Sequence, residues 1–82
     1  MIQTKAKEIV AALGGKNNIK SIEACITRLR IELKDSSKLE TEKIKKLGAH
    51  WVTNLGGGAV QIIWGTYANL MESAIKEAIK ND

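Results

Sequence analysis

The sequence contains a single cysteine and a single histidine, so two common sources of protein chemistry are scarce. One cysteine cannot form a disulfide within the chain, which predicts a reducing, cytosolic setting. Cys25 and His50 alone cannot supply the ligand spacings that a zinc site needs, so no metal is expected. An unpaired thiol remains available for other chemistry.

Long apolar runs are also absent. The stretches 9–13 and 62–64 are far too short to span a membrane, and early charged residues interrupt any signal-peptide core. The chain has 82 residues, of which 44 % are hydrophobic, enough for a small core. We therefore expect one domain over residues 1–82.

Acidic residues are fewer than basic ones, and the formal net charge is +4. Residues 1–46 hold 11 of the 13 Lys and Arg residues but 6 of the 9 acids. A basic half favours an acidic or phosphate-bearing partner, although most of the lysines are expected only to keep the surface solvated. Aromatic residues amount to 4 % and are not interleaved with the basic ones, so no nucleic-acid partner is predicted.

Three stretches predict helices. The first follows Thr4, a candidate cap, and stops at the glycines 14 and 15. The second covers about 41–47, and the third follows Thr66, another candidate cap. The third helix carries one apolar stripe, made of Tyr67, Leu70, Met71, Ala74, Ile75 and Ala78.

Four stretches predict strands. Residues 28–34 give the strongest signal, because apolar and charged residues alternate along them, and residues 19–24 give a weak one. Residues 51–55 and 60–64 flank a run of glycines, which is typical of a hairpin loop. The order αββαββα favours an α+β fold, with a four-stranded antiparallel sheet and three helices packed on one face.

Cys25 falls in or beside the turn of the first hairpin, close to Arg28 and Arg30. Strand alternation puts both arginines on one face, roughly 7 Å apart, where their guanidinium groups can flank one anion. Nearby cations also favour the thiolate, the nucleophilic form of cysteine. The pattern alone leaves two interpretations open, because a lone cysteine is more often buried packing.

The residues Cys-Ile-Thr-Arg-Leu-Arg at 25–30 closely resemble the active-site signature of glucose- and glucoside-type enzyme IIB domains of the bacterial phosphotransferase system. The likeness includes Leu-Gly-Gly at 13–15, Lys-Leu-Gly-Ala at 46–49 and Val-Gln-Ile-Ile-Trp-Gly at 60–65. It covers about residues 5–80, nearly the whole chain.

This resemblance implies a phosphotransferase that acts as a phosphoryl carrier in sugar uptake. In the family, the cysteine accepts a phosphoryl group from a phosphohistidine of an enzyme IIA protein. It then passes that group to a sugar held by the membrane IIC domain, which can belong to the same polypeptide. The resemblance implies no cofactor, and it implies a cytoplasmic domain at the inner face of the membrane through IIC.

The residues that match the family motif define an expected site. Cys25 would be the phosphorylated nucleophile, and Arg28 and Arg30 would bind the phosphoryl group or the partner surface. Thr27 would lie in the phosphate-holding turn, and Gln61 follows a valine in the last strand as a glutamine does in the family. The expected site comprises Cys25, Ile26, Thr27, Arg28, Arg30 and Gln61.

Three other functions fit parts of the sequence. The basic charge is compatible with a nucleic-acid-binding module, and a free thiol is compatible with a redox sensor. A regulatory protein of the same fold could bind partners without passing phosphate, but Cys25 together with both arginines favours the carrier. The transported sugar is not predicted, nor is whether the chain is a natural single domain or part of a larger polypeptide.

Overall fold

Alternating side chains define the two faces of the central sheet. The computed structural model describes residues 2–81, and the side chains of residues 4–81. Its elements are α1 (Ile2–Ala12), β1 (Ile19–Cys25), β2 (Arg28–Leu33), α2 (Thr41–Lys46), β3 (Trp51–Gly56), β4 (Ala59–Ile63) and α3 (Ala68–Lys80). Short 3₁₀ turns occupy Lys16–Asn18, Ser36–Lys38 and Gly65–Tyr67. The predicted α+β class and the order αββαββα are confirmed.

The four strands form one antiparallel sheet in the order β1-β2-β4-β3, so β2 and β4 are central and β1 and β3 are edges. Along β2, Leu29, Ile31 and Leu33 are buried, whereas the residues between them are exposed. Burying each of these side chains contributes about 1.5–3 kcal/mol. The predicted alternation in this strand is confirmed, and its charged face is left free.

The helices cover the apolar face of the sheet. Helix α1 packs against α3, α3 lies on β1 and β2, and α2 contacts α1 and β3. The largest fully buried side chains are Ile9, Leu13, Leu29, Ile31, Ile44, Val60, Ile62 and Ile75. Within residues 2–81, none of the helices combines the length and the apolarity that a transmembrane span requires.

The predicted starts of the first and third helices are wrong, whereas α2 begins at residue 41 as predicted. Helix α1 already begins at Ile2, so Thr4 lies within the helix and is not its cap. Thr66 lies in a 3₁₀ turn, and α3 begins only at Ala68 without a side-chain cap. Glycine at position 65 adopts a φ of 72°, which turns the chain before the α-helix can form.

The buried face of α3 differs from the predicted apolar stripe. Ala68, Met71 and Ile75 are buried, at the spacing i, i+3, i+7 of a helix face. Tyr67 precedes the helix and Leu70 falls off this face, and both are more than half exposed. Their predicted place in the apolar stripe is therefore wrong.

Candidate functional site

Cys25 is the last residue of β1, and it is exposed as a free thiol. It pairs with Arg28, so Ile26 and Thr27 form a two-residue hairpin turn where the sequence predicts one. Ile26 has a φ of 43°, a left-handed conformation that is unusual for a β-branched residue, and its side chain is 81 % exposed. Such a conformation costs of order 1–3 kcal/mol, so its surroundings must hold it.

The turn is fixed from one side by backbone hydrogen bonds. The Thr27 carbonyl accepts from the amides of Trp64 and Gly65, at 2.9 and 3.0 Å, just after β4 ends. The amides of Ile26 and Thr27 donate to no other residue in the described part of the chain. Two backbone donors next to Cys25 are therefore free to bind an anion.

The strand register brings charged and polar side chains together on the exposed face of the sheet. Arg28 lies opposite Cys25, and Arg30 lies between Glu23 on β1 and Gln61 on β4. Neighbouring strands are about 4.8 Å apart, so side chains in adjacent rows share one surface. These five residues line a depression of about 180 Å³.

Four of the predicted site residues thus meet in one place, namely Cys25, Arg28, Arg30 and Gln61. The other two, Ile26 and Thr27, do not line the depression but form the turn beside it. Gln61 joins this group because β4 pairs with β2, which brings together residues that are far apart in the sequence.

The depression carries a net positive charge. It contains two guanidinium groups and one carboxylate, that of Glu23. Among the side chains of residues 4–81, neither Arg28 nor Arg30 forms an ion pair. Both arginines are exposed, so their donors can bind an anion that arrives from solution.

A larger cavity, of about 390 Å³, lies apart from this depression and contains none of the predicted site residues. His50, Trp64 and Tyr67 contribute to its wall, and His50 is not among the residues that line the depression beside Cys25. Within the described residues, no three His, Cys, Asp or Glu side chains are grouped as metal ligands would be.

Two acidic residues near the turn were not among the predicted site residues. Glu23 could have been found, because it lies two residues before Cys25 and strand alternation puts both on one face. Glu72 accepts a hydrogen bond from the Ala24 amide at 3.0 Å, although the two residues are 48 positions apart in the sequence. No local sequence pattern indicates a contact at that separation.

Comparison with known proteins identifies the family. The family model for the phosphotransferase system, EIIB, matches residues 7–39. The "PTS system N-acetylglucosamine-specific EIIB component" of Streptomyces coelicolor is 43 % identical over 74 residues, which cover 90 % of this chain and 95 % of that protein. The match therefore extends over almost the whole of both chains.

Longer relatives contain a similar segment. The "PTS system N-acetylglucosamine-specific EIICBA component" of Escherichia coli is 39 % identical over 90 % of this chain, which spans only 11 % of that protein. A solved structure, one domain of a PTS system IIabc component from Clostridium difficile, is 28 % identical with a TM-score of 0.74. The aligned region covers 98 % of this chain and 80 % of the chain in that structure.

The chain belongs to the EIIB family of the phosphotransferase system, as the sequence predicts, and the glucose- and glucoside-type branch fits the relatives. It is accordingly a phosphotransferase component of a sugar phosphotransferase system.

Proposed function

We propose that Cys25 carries a phosphoryl group from a phosphohistidine of an enzyme IIA protein to a sugar bound by a membrane IIC domain. The observation that supports this most directly is an exposed thiol beside two arginines that form no ion pair among the described residues. Phosphoryl transfer requires mainly positioning and charge stabilisation, which such a surface offers.

Each transfer exchanges one bond to phosphorus for another. In the first, the Cys25 thiolate attacks phosphorus, the S–P bond forms and the P–N bond breaks, and the imidazole nitrogen takes the electron pair and a proton. In the second, a sugar hydroxyl oxygen attacks, the O–P bond forms and the S–P bond breaks. Sγ leaves as a thiolate, and the hydroxyl proton is released.

The residues around Cys25 have separate roles in this scheme. Arg28 and Arg30 offset the negative charge of the phosphoryl oxygens, and the free amides of Ile26 and Thr27 donate to them. The Gln61 amide lies opposite Arg30 and can donate one further hydrogen bond. Because Cys25 must meet two partners in succession, an exposed turn serves it better than a closed cleft.

The relatives support the choice of partners. Names of the form EIICBA join C, B and A components in one polypeptide, so IIA and IIC are the expected partners of this B component. We accordingly propose that the domain, with its single unit over residues 1–82, works at the cytoplasmic face of the membrane beside a IIC domain. N-acetylglucosamine and glucosides are the sugars that the relatives' names indicate as candidates.

The replacement Cys25→Ser tests the proposal. Wild-type protein and variant are incubated with phosphoenolpyruvate, enzyme I, HPr and a IIA protein, and their intact masses are measured. We expect one added phosphoryl group on the wild type and none on the variant. The variant should retain its stability within about 0.5 kcal/mol, because the thiol is exposed. Normal sugar phosphorylation by the Ser variant in a reconstituted system would refute the assignment.

A further inference from the structure

The Cys25 turn is held on two sides by residues 64–72, the segment that follows β4 and enters α3. On one side, the Trp64 and Gly65 amides bind the Thr27 carbonyl. On the other side, the Glu72 carboxylate accepts from the Ala24 amide at 3.0 Å. Between these two attachments lies the positive φ of Ile26. A backbone in that conformation persists only where the surrounding structure holds it.

The contact of Glu72 compensates for a weakness of β1. This strand is an edge of the sheet and pairs only with β2, so its outward backbone groups have no neighbouring strand. Ala24 directly precedes Cys25, and its side chain is partly buried. The Glu72 side chain, 23 % exposed, thus binds the strand end from helix α3 where the nucleophile begins the turn.

We propose that Glu72 is a positioning residue, which holds the end of β1 so that Cys25 and the Ile26 turn keep the geometry for phosphoryl transfer. The inference rests on the proposed function of Cys25. Glu72 also forms an ion pair with Lys76 at 3.4 Å, but that lysine is 57 % exposed and the pair is solvated. Exposed pairs of this kind contribute little, so the hydrogen bond to Ala24 is the contact that matters.

Four variants separate these contributions. Glu72→Ala removes the acceptor, and Glu72→Gln retains an amide oxygen that can accept the same hydrogen bond. Lys76→Ala removes only the ion pair. Glu77→Ala is the matched control on the same helix, because its carboxylate bonds the exposed Asn81.

Four measurements are made on each variant: the single-turnover rate of phosphoryl transfer from phosphorylated IIA, amide hydrogen exchange, the rate of Cys25 alkylation, and the coupling constant that reports φ of Ile26. With Glu72→Ala, we expect Ala24 amide exchange to rise and phosphoryl transfer to slow, each by about tenfold. Exchange in β2 and β4 should stay unchanged. In Glu72→Gln, the Ala24 exchange rate and the transfer rate should both return most of the way to their wild-type values. Lys76→Ala and Glu77→Ala should match the wild type.

Unchanged transfer in Glu72→Ala, or a Gln variant as slow as the Ala variant, would overturn the proposal. Faster exchange throughout the sheet would also overturn it, because that result indicates a general structural role. If the wild type accepts no phosphoryl group, the proposed function itself is wrong. The alkylation rate of Cys25 and the coupling constant that reports φ of Ile26 then still decide whether Glu72 positions the turn: both should change in Glu72→Ala and not in Glu77→Ala.

Discussion

Arg28 and Arg30 have different neighbours across the sheet. Arg28 lies between Cys25 on β1 and Ile63 on β4, so the thiol is its nearest polar neighbour in the row. Arg30 lies between Glu23 and Gln61, so a carboxylate offsets part of its charge. We therefore expect Arg28 to contribute more to charge stabilisation at phosphorus than Arg30.

Replacing either arginine by lysine tests this difference. Lysine keeps the charge but loses the planar fork that binds two oxygens of one anion. Loss of a charge-assisted hydrogen bond is worth about 1.5–3 kcal/mol, so we expect the transfer rate to fall by about tenfold or more, and further for Arg28→Lys. The free energy of unfolding should change by less than about 1 kcal/mol, because both side chains are exposed.

Single-turnover phosphorylation and urea unfolding provide the two measurements. Lys34→Arg, a charge-conserving change just beyond the end of β2, is the control. A large fall in the urea midpoint of either lysine variant would mean that the arginine supports the fold and does not bind phosphate.

How far the sequence predicts the site depends on how far apart in the sequence the contacting residues lie. The alternation of residues 28–33 is a local signal, and it gave the shared face of Arg28 and Arg30 correctly. The place of Gln61 beside Arg30 depends on the register of β4 against β2, which no local pattern defines. Glu72 and Ala24 are even further apart in the sequence, so only the folded chain reveals their contact.

At the scale of elements, the hairpin between β3 and β4 meets the end of β2. The Gly58 carbonyl accepts from the Leu33 amide at 2.7 Å, and Gly58 is buried with a φ of 90°. A Cβ at this position would overlap the Leu33 carbonyl oxygen. At Gly57, also at positive φ, a Cβ would meet no atom within 4 Å.

Gly58→Ala and Gly57→Ala are therefore a matched pair. Both replacements place a side chain at positive φ, which costs about 1–2 kcal/mol. Only Gly58→Ala adds a clash with backbone, so we expect it to destabilise the domain by at least about 3 kcal/mol. Chemical denaturation of both variants measures the difference. Equal losses of stability would show that the hairpin can move away from β2, contrary to the close contact seen here.

The helix boundaries show where local signals are insufficient. Capping residues such as Thr4 and Thr66 favour helix starts, yet neither begins its helix. At the third helix, Gly65 and its 3₁₀ turn delay the start to Ala68, and both Tyr67 and Leu70 lie outside the buried face. Such shifts leave the type and order of the elements as predicted, but they change which individual side chains are exposed.

At the scale of the whole molecule, exposed apolar side chains accompany the charged surface. Trp51, at the start of β3, continues the row of Cys25, Arg28 and Ile63, about 14 Å from Cys25 by strand spacing. The Lys45 ammonium lies 4.1 Å from the centroid of the Trp51 ring, which favours a cation–π contact. The outer face thus combines positive charge with apolar side chains, as transient protein-binding surfaces do.

We expect this face to bind a IIA protein weakly and transiently, because a long-lived complex would prevent the phosphoryl group from being handed on. Attraction between the basic surface and an acidic partner raises the rate of encounter, and added salt should weaken it. Amide shifts measured with a IIA protein should change at residues 25–30. Changes centred on α3 and absent from residues 25–30 would refute this docking surface, even if Cys25 carries phosphate.

Ile26 is the expected apolar contact, since it projects from the turn beside the nucleophile and is 81 % exposed. Asparagine tolerates positive φ better than a β-branched residue, so Ile26→Asn should keep the turn while it removes the apolar side chain. We expect the Kd for IIA to rise by roughly tenfold, a loss of about 1.4 kcal/mol. Leu55→Asn is the control, because Leu55 is 52 % exposed near the other end of β3. The Kd for IIA is measured for both variants at low and at high salt. If Ile26→Asn and Leu55→Asn change the Kd equally under both conditions, the partner binds through charge alone, without an apolar anchor at the turn.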